Sequence, residues 1–164
     1  MTDLLALIGY GLVAFFGVFL SAAFSGVQIR KYNLVNFLIL TAISLAVQAI
    51  FLYFGQLKLT QQIYPLILHL PLILVLRIGY KKPWSVTVAS VLLAYLCCQI
   101  PRWIASITCL FSNDLLYYHI LYIPAISASF LVLSRHVVKP IQNIMNYSPQ
   151  SALGLGLLPL LYYI

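Results

Sequence analysis

Leu34–Phe54 reads LVNFLILTAISLAVQAIFLYF, 21 residues that carry no charge and are polar only at Asn36, Thr41, Ser44 and Gln48 and the Tyr53 hydroxyl. Coiled as a helix, the run is about 31 Å long at 1.5 Å per residue, which matches the roughly 30 Å hydrocarbon layer of a bilayer. Upstream, the loop Gln28-Ile29-Arg30-Lys31-Tyr32-Asn33 separates it from a second run of the same kind, Leu4–Phe24. The reading of these two runs decides the fold class: an all-α, polytopic transmembrane helical bundle.

Downstream the pattern repeats with more punctuation. A third span is expected over 64–80, with Pro65 in its first turn, Pro71 in its middle, and Arg77 and the Lys81-Lys82 pair at its end. A fourth begins at Trp84 and either ends at Pro101 or kinks there and continues to Phe111. Neighbouring helices can satisfy the carbonyl that a proline frees, which favours the kinked form, 84–111. Ser112-Asn113-Asp114 reads as a turn and N-cap for a fifth span, Leu115–Ser134, stopped by Arg135. The mixed segment His136–Gln150 suits a helix lying at the membrane surface. Ser151–Ile164 is a sixth run of about 21 Å, short for a crossing. The expectation is one domain, 1–164, with about six spans.

Composition agrees. The chain is 63% hydrophobic and 7% charged with a mean hydropathy of +1.04, whereas soluble domains are roughly 25% charged. A lipid bilayer is therefore the expected partner. The net charge of +7 comes from nine Lys/Arg against Asp3 and Asp114. Those bases sit between apolar runs rather than in clusters, which signals topology and not nucleic acid. Arg30, Lys31, Arg77, Lys81, Lys82, Arg135 and Lys139 fall in the odd-numbered loops, against Lys58 and Arg102 in the others. By the excess of Lys/Arg in cytoplasmic loops, the N-terminus is expected outside and the three base-rich loops inside, in a multi-pass plasma-membrane protein. Met1-Thr2-Asp3 has no basic n-region and the following run is too long for a signal peptide, so the first helix is expected to be retained.

Catalysis finds no foothold in the residues. There is no Glu, both Asp stand at helix ends, and no HExxH, P-loop or GxSxG pattern occurs. Cys97, Cys98 and Cys109 lack metal or redox spacing, so neither a metal nor a cofactor is expected.

The polar residues inside the spans are the remaining signal, because each is costly in hydrocarbon. Gln48, His69, Gln99, Arg102 and His119 all fall in the outer half under the assigned orientation, with Trp103 beside Arg102. Together they suggest an outward-open pocket for a small extracellular ligand or peptide. Each also has a plainer reading. Gln48 and Gln99 can hydrogen-bond between helices, Arg102 and Trp103 can anchor at the interface, and each histidine can be a satisfied bundle residue. Gly17, Ser21 and Ser25, spaced by four, form a small-residue stripe for close helix packing, within the bundle or in a homodimer.

Tyr64-Pro65-Leu66 through His69-Leu70-Pro71, Tyr80-Lys81-Lys82-Pro83-Trp84, Ala94-Tyr95-Leu96-Cys97-Cys98-Gln99, Pro101-Arg102-Trp103 and the ending Leu157-Leu158-Pro159-Leu160-Leu161-Tyr162-Tyr163 resemble the membrane-embedded sensor region of GHKL-type sensor histidine kinases of Gram-positive anaerobes. The resemblance implies a bacterial input module that binds an extracellular cue and signals to a cytoplasmic kinase module in a two-component system. No kinase domain is present in the chain, and His136 lacks the acidic neighbour expected of a phosphoacceptor. With the last run heading outward, a further span would be needed to reach the cytoplasm. The rival expectation is the substrate-binding membrane subunit of a vitamin-type transporter, in which the stripe on the first helix would dock a partner.

Overall fold

In a chain this apolar, backbone N–H and C=O groups have to be satisfied within each segment, and the helix does this without help from a neighbour. The computed structural model describes residues 2–28, 30–53, 65–107 and 115–163, with no strand among them. The elements are α1 (Thr2–Phe24), α2 (Lys31–Tyr53), α3 (65–79), α4 (Trp84–Cys97), α5 (Ile100–Ser106), α6 (Leu115–Val132), α7 (Val138–Tyr147) and α8 (Pro149–Tyr163). Lys58, Tyr64, Cys109, Phe111 and the Ser112-Asn113-Asp114 turn lie outside the described residues. Among the described residues, three helices are long and apolar enough to cross a membrane: Lys31–Ile50, Trp84–Ser106 and Leu116–Tyr147. Ile8–Phe24, Leu66–Gly79 and Pro149–Leu161 are apolar but shorter.

α1 ends on Gly26 in a left-handed conformation (φ 72°). The Gly26 amide donates to Ala23 O at 2.9 Å and the Val27 amide to Ala22 O at 3.0 Å, the paired bonds of a Schellman stop. Val27 then tucks into the core. In α3, Pro71 has no N–H to offer the preceding turn, and the helix is wide on both sides of it, with π-helical turns over Pro65–His69 and Val75–Gly79.

The fourth apolar segment breaks ahead of its proline. α4 stops at Cys97, Cys98 and Gln99 form a turn, and α5 resumes at Ile100 with Pro101 in its first turn. A proline ring collides with the carbonyl four residues back, here Cys97, so the chain tightens there and restarts where the missing N–H costs nothing. The 23 residues from Trp84 to Ser106 remain one apolar unit.

At Arg135 the structure departs from the expected stop. α6 passes through a π-helical turn, Leu133–Val137, directly into α7. A single arginine is a good helix former and does not end a helix by itself. The resulting unit of 32 residues is about 48 Å long, more than a bilayer core requires. Its last third is amphipathic: Val138 and Met145 are buried, while Lys139, Asn143 and Asn146 are exposed.

α1 is the axis of the bundle and packs on α2, α4, α6 and α7, while α4 packs on α1, α3 and most extensively on α8. Two cores result. One joins Ala14, Val18 and Phe19 of α1 with Phe37, Leu68, Leu72, Leu76, Val91 and Tyr95. The other joins Leu20 and Phe24 with Val86, Ala89, Leu93, Val138, Met145 and Ala152. α1 and α4 contribute opposite faces to both.

Candidate functional site

The base-rich loops meet at one end of the bundle. The Tyr80 hydroxyl donates to Asn33 Oδ1 at 3.1 Å, and Lys82 Nζ donates to Gly26 O at 3.3 Å. Phe37 and Tyr80 stack with ring centroids 5.4 Å apart. Arg77 donates through Nη1 to Lys82 O at 3.0 Å and lies over the Trp84 ring, 5.6 Å from its centroid. From the far side, Gln142 Nε2 donates to Ala23 O at the end of α1. These bonds bring the α1–α2 loop, the α3–α4 loop and α7 together, so the seven bases share an end.

The expected pocket residues lie toward the other end, at two depths. Counting about 1.5 Å per residue from the base-rich loops puts His69 and Tyr95 at about 15 Å, and Gln48, Gln99, Arg102 and His119 at about 23–27 Å. His69 is 7% exposed, and its ring packs on that of Tyr95 with centroids 4.2 Å apart. On the other side, the Tyr95 ring lies so close to Gly17 that a Cβ on that glycine would stand 2.5 Å from Cε1. His69, Tyr95 and Gly17 thus form one contact through α3, α4 and α1.

Gln48 is buried on α2, and its Nε2 has no hydrogen-bond partner among the described residues; the same holds for His119 Nδ1. Gln99 is half-buried in the turn before α5, and its carbonyl accepts the Trp103 amide at 3.0 Å. Arg102 and Trp103 are exposed. Arg102 interacts electrostatically with Tyr122 of α6. Tyr118 and Tyr122 stack at 5.4 Å, and His119 meets Tyr118 edge-on. The structure therefore joins His69 to Tyr95, and links Arg102 through Tyr122 and Tyr118 to His119.

Gly17, Ser21 and Ser25 are all buried within the chain. Ser21 Oγ donates to Gly17 O at 2.7 Å and Ser25 Oγ to Ala22 O at 2.8 Å, so their hydroxyls are satisfied by their own helix. Tyr95 is the site residue that sequence reasoning missed. It is one of twelve tyrosines, and hydropathy does not separate a buried ring from an interfacial one. The available signal was its company, a tyrosine hydroxyl in mid-span facing a helix that carries Gly17.

Two cavities bear on chemistry. An apolar gap between α1, α4 and α6, lined by Val13, Phe16, Cys97, Cys98, Pro101 and Phe130 among others, holds only about 10 Å³. A larger groove of about 360 Å³ opens between α2 and α3 at the base-rich end, lined by Tyr32, Asn36, Ile39, Val75, Gly79 and Tyr80. Neither is lined by any of the six expected pocket residues. No group of three metal-ligating side chains occurs among the described residues.

Comparison with known proteins gave no match: no family model, no curated protein and no solved structure corresponds to the chain.

Proposed function

We propose that the chain is the membrane-embedded sensor module of a two-component signalling histidine kinase. It crosses the plasma membrane about six times, with the N-terminus outside and the base-rich end in the cytoplasm. The observation that carries this reading is the His69–Tyr95–Gly17 contact. Polar side chains inside a membrane bundle are costly, and an ionisable one such as His69 is a candidate for function. Here they couple the axial helix α1 to α3 and α4, halfway between a polar outer half and the basic end where a cytoplasmic kinase module would attach.

Gln48, Gln99, Arg102, Trp103 and His119 form the outer layer that an extracellular small ligand or peptide would meet. His69 and Tyr95 lie beneath it and transmit occupancy to α1. The transport reading used Gly17, Ser21 and Ser25 as a docking surface. Their burial inside the chain removes that support and leaves the sensor reading ahead.

The test joins the chain through one added span to a cytoplasmic histidine-kinase module that drives a transcriptional reporter, in host cells exposed to mass-fractionated spent medium, with wild type, Gln48→Ala or His69→Ala at equal membrane levels. The expected result is a response in wild type that both variants lose and Lys139→Ala keeps. A response unchanged in both variants would overturn the reading. Loss of labelled-vitamin uptake in the same variants would install the transport reading in its place.

A further inference from the structure

The groove between α2 and α3 belongs to neither the polar outer layer nor the His69 contact. We propose that it is a binding site for one anionic phospholipid, with the phosphate headgroup at the base-rich end and an acyl chain running along the helices.

Its shape suits a molecule with two chemistries. Tyr32, Asn36 and Ile39 are four and three residues apart on one face of α2 and pass from polar to apolar along the groove. Val75 and Gly79 of α3 form the opposite wall, and the absent side chain of Gly79 leaves the space open: the nearest atom to a Cβ there is Val75 Cγ1 at 4.0 Å. The Tyr80–Asn33 hydrogen bond and the Phe37–Tyr80 stack hold the two walls together without any ligand. Tyr32 is 77% exposed at the mouth, an amphipathic ring at headgroup level.

The charge is complementary to phosphate. Lys31 precedes Tyr32, Lys81 follows Tyr80, and both lysines are exposed. Arg77, in the last turn of α3, and Lys82, in the loop after it, are committed to Lys82 O and Gly26 O. The chain has no Glu, and its two Asp are residues 3 and 114, so no carboxylate in either loop competes for these cations. Lys81 is the single described non-glycine residue with positive φ (52°), a costly conformation that fixes the loop beside the groove. Basic recesses between membrane helices on the cytoplasmic side are where anionic headgroups are held. The proposal requires insertion in a bilayer and is independent of what the outer half senses.

Native mass spectrometry of the detergent-purified chain, with phosphatidylglycerol or phosphatidylcholine added, reads the site directly. Wild type is expected to retain phosphatidylglycerol preferentially. Lys31→Gln with Lys81→Gln should weaken that retention by about 25-fold, about five-fold for each cation near a headgroup, and abolish the preference. Gly79→Leu should fill the groove and abolish retention of both lipids, whereas Lys139→Gln, at the same end but on α7, should change nothing. Equal retention of the two lipids by wild type would overturn the proposal. So would an undiminished preference in the double variant, or binding of free glycerol phosphate as tight as that of the lipid.

Discussion

α1 and α2 are both 23-residue helices, both strongly apolar, yet one is the axis of the bundle and the other its edge. α1 is buried on nearly every side from Ala14 to Ser25, while α2 presents Val35, Leu38, Ile39, Ile43 and Ile50 outward. Side-chain size contributes to the difference. Ala14, Gly17, Ser21, Ala22 and Ser25 let two neighbours approach the α1 backbone at once, whereas the outward face of α2 is dominated by Val35, Leu38, Ile39, Ile43 and Ile50. Lipid is as apolar as leucine, so in a membrane close packing of small residues decides which helix goes inside.

Five single substitutions, one of them also combined with changes at Tyr95, would break or sharpen that contrast, read as unfolding free energy in mixed detergent micelles. Phe37→Ala should cost most, about 3 kcal/mol, the low end for an aromatic truncated in a packed core. Phe37 is the fully buried ring that seats α2 against Phe19 and Tyr80, and a loss below 1 kcal/mol would mean α2 is held elsewhere. Gly17→Ala should cost about 2 kcal/mol by overpacking, because the added methyl meets the Tyr95 ring. Tyr95→Leu in the same chain should recover part of that loss, and Tyr95→Phe should not, since ring carbon Cε1 is the nearest atom.

Gln142→Leu removes the donor to Ala23 O and should cost about 1 kcal/mol, the usual effect of one hydrogen bond. Gly11→Ala, also on α1, meets nothing within 4 Å and should stabilise by about 0.7 kcal/mol through helix propensity. If both glycine substitutions had the same sign, steric approach would not be what places α1 inside. Ile43→Leu, on the outward face of α2, should change stability by less than about 0.5 kcal/mol.

Much of the helical pattern is legible in the chain itself. The uncharged runs and the loops that carry the bases follow from local chemistry. The spacing of Gly17, Ser21 and Ser25 announces close packing but not its partner. Two boundaries escape local reading for opposite reasons. Arg135 looks like a stop and is not, because a charge ends an apolar run without ending a helix. Pro101 looks like the kink, but the break falls at Cys98 and Gln99, because a proline disturbs the turn that precedes it. Of the candidate site, polarity marks Gln48, His69, Gln99, Arg102 and His119, yet it does not show that His69 packs on Tyr95.

The sequence alone determined that the chain is helical, where its apolar runs begin, and which loops hold the cations. Those properties depend on residues close together in the chain, through hydrogen bonds four residues apart and the cost of placing charge in hydrocarbon. Only the tertiary structure decided that α1 rather than α2 is central, that Tyr95 lies between His69 and Gly17, and that a groove opens beside Lys31 and Lys81. Each of these joins residues from helices tens of positions apart, and among several apolar helices the choice rests on how their surfaces fit.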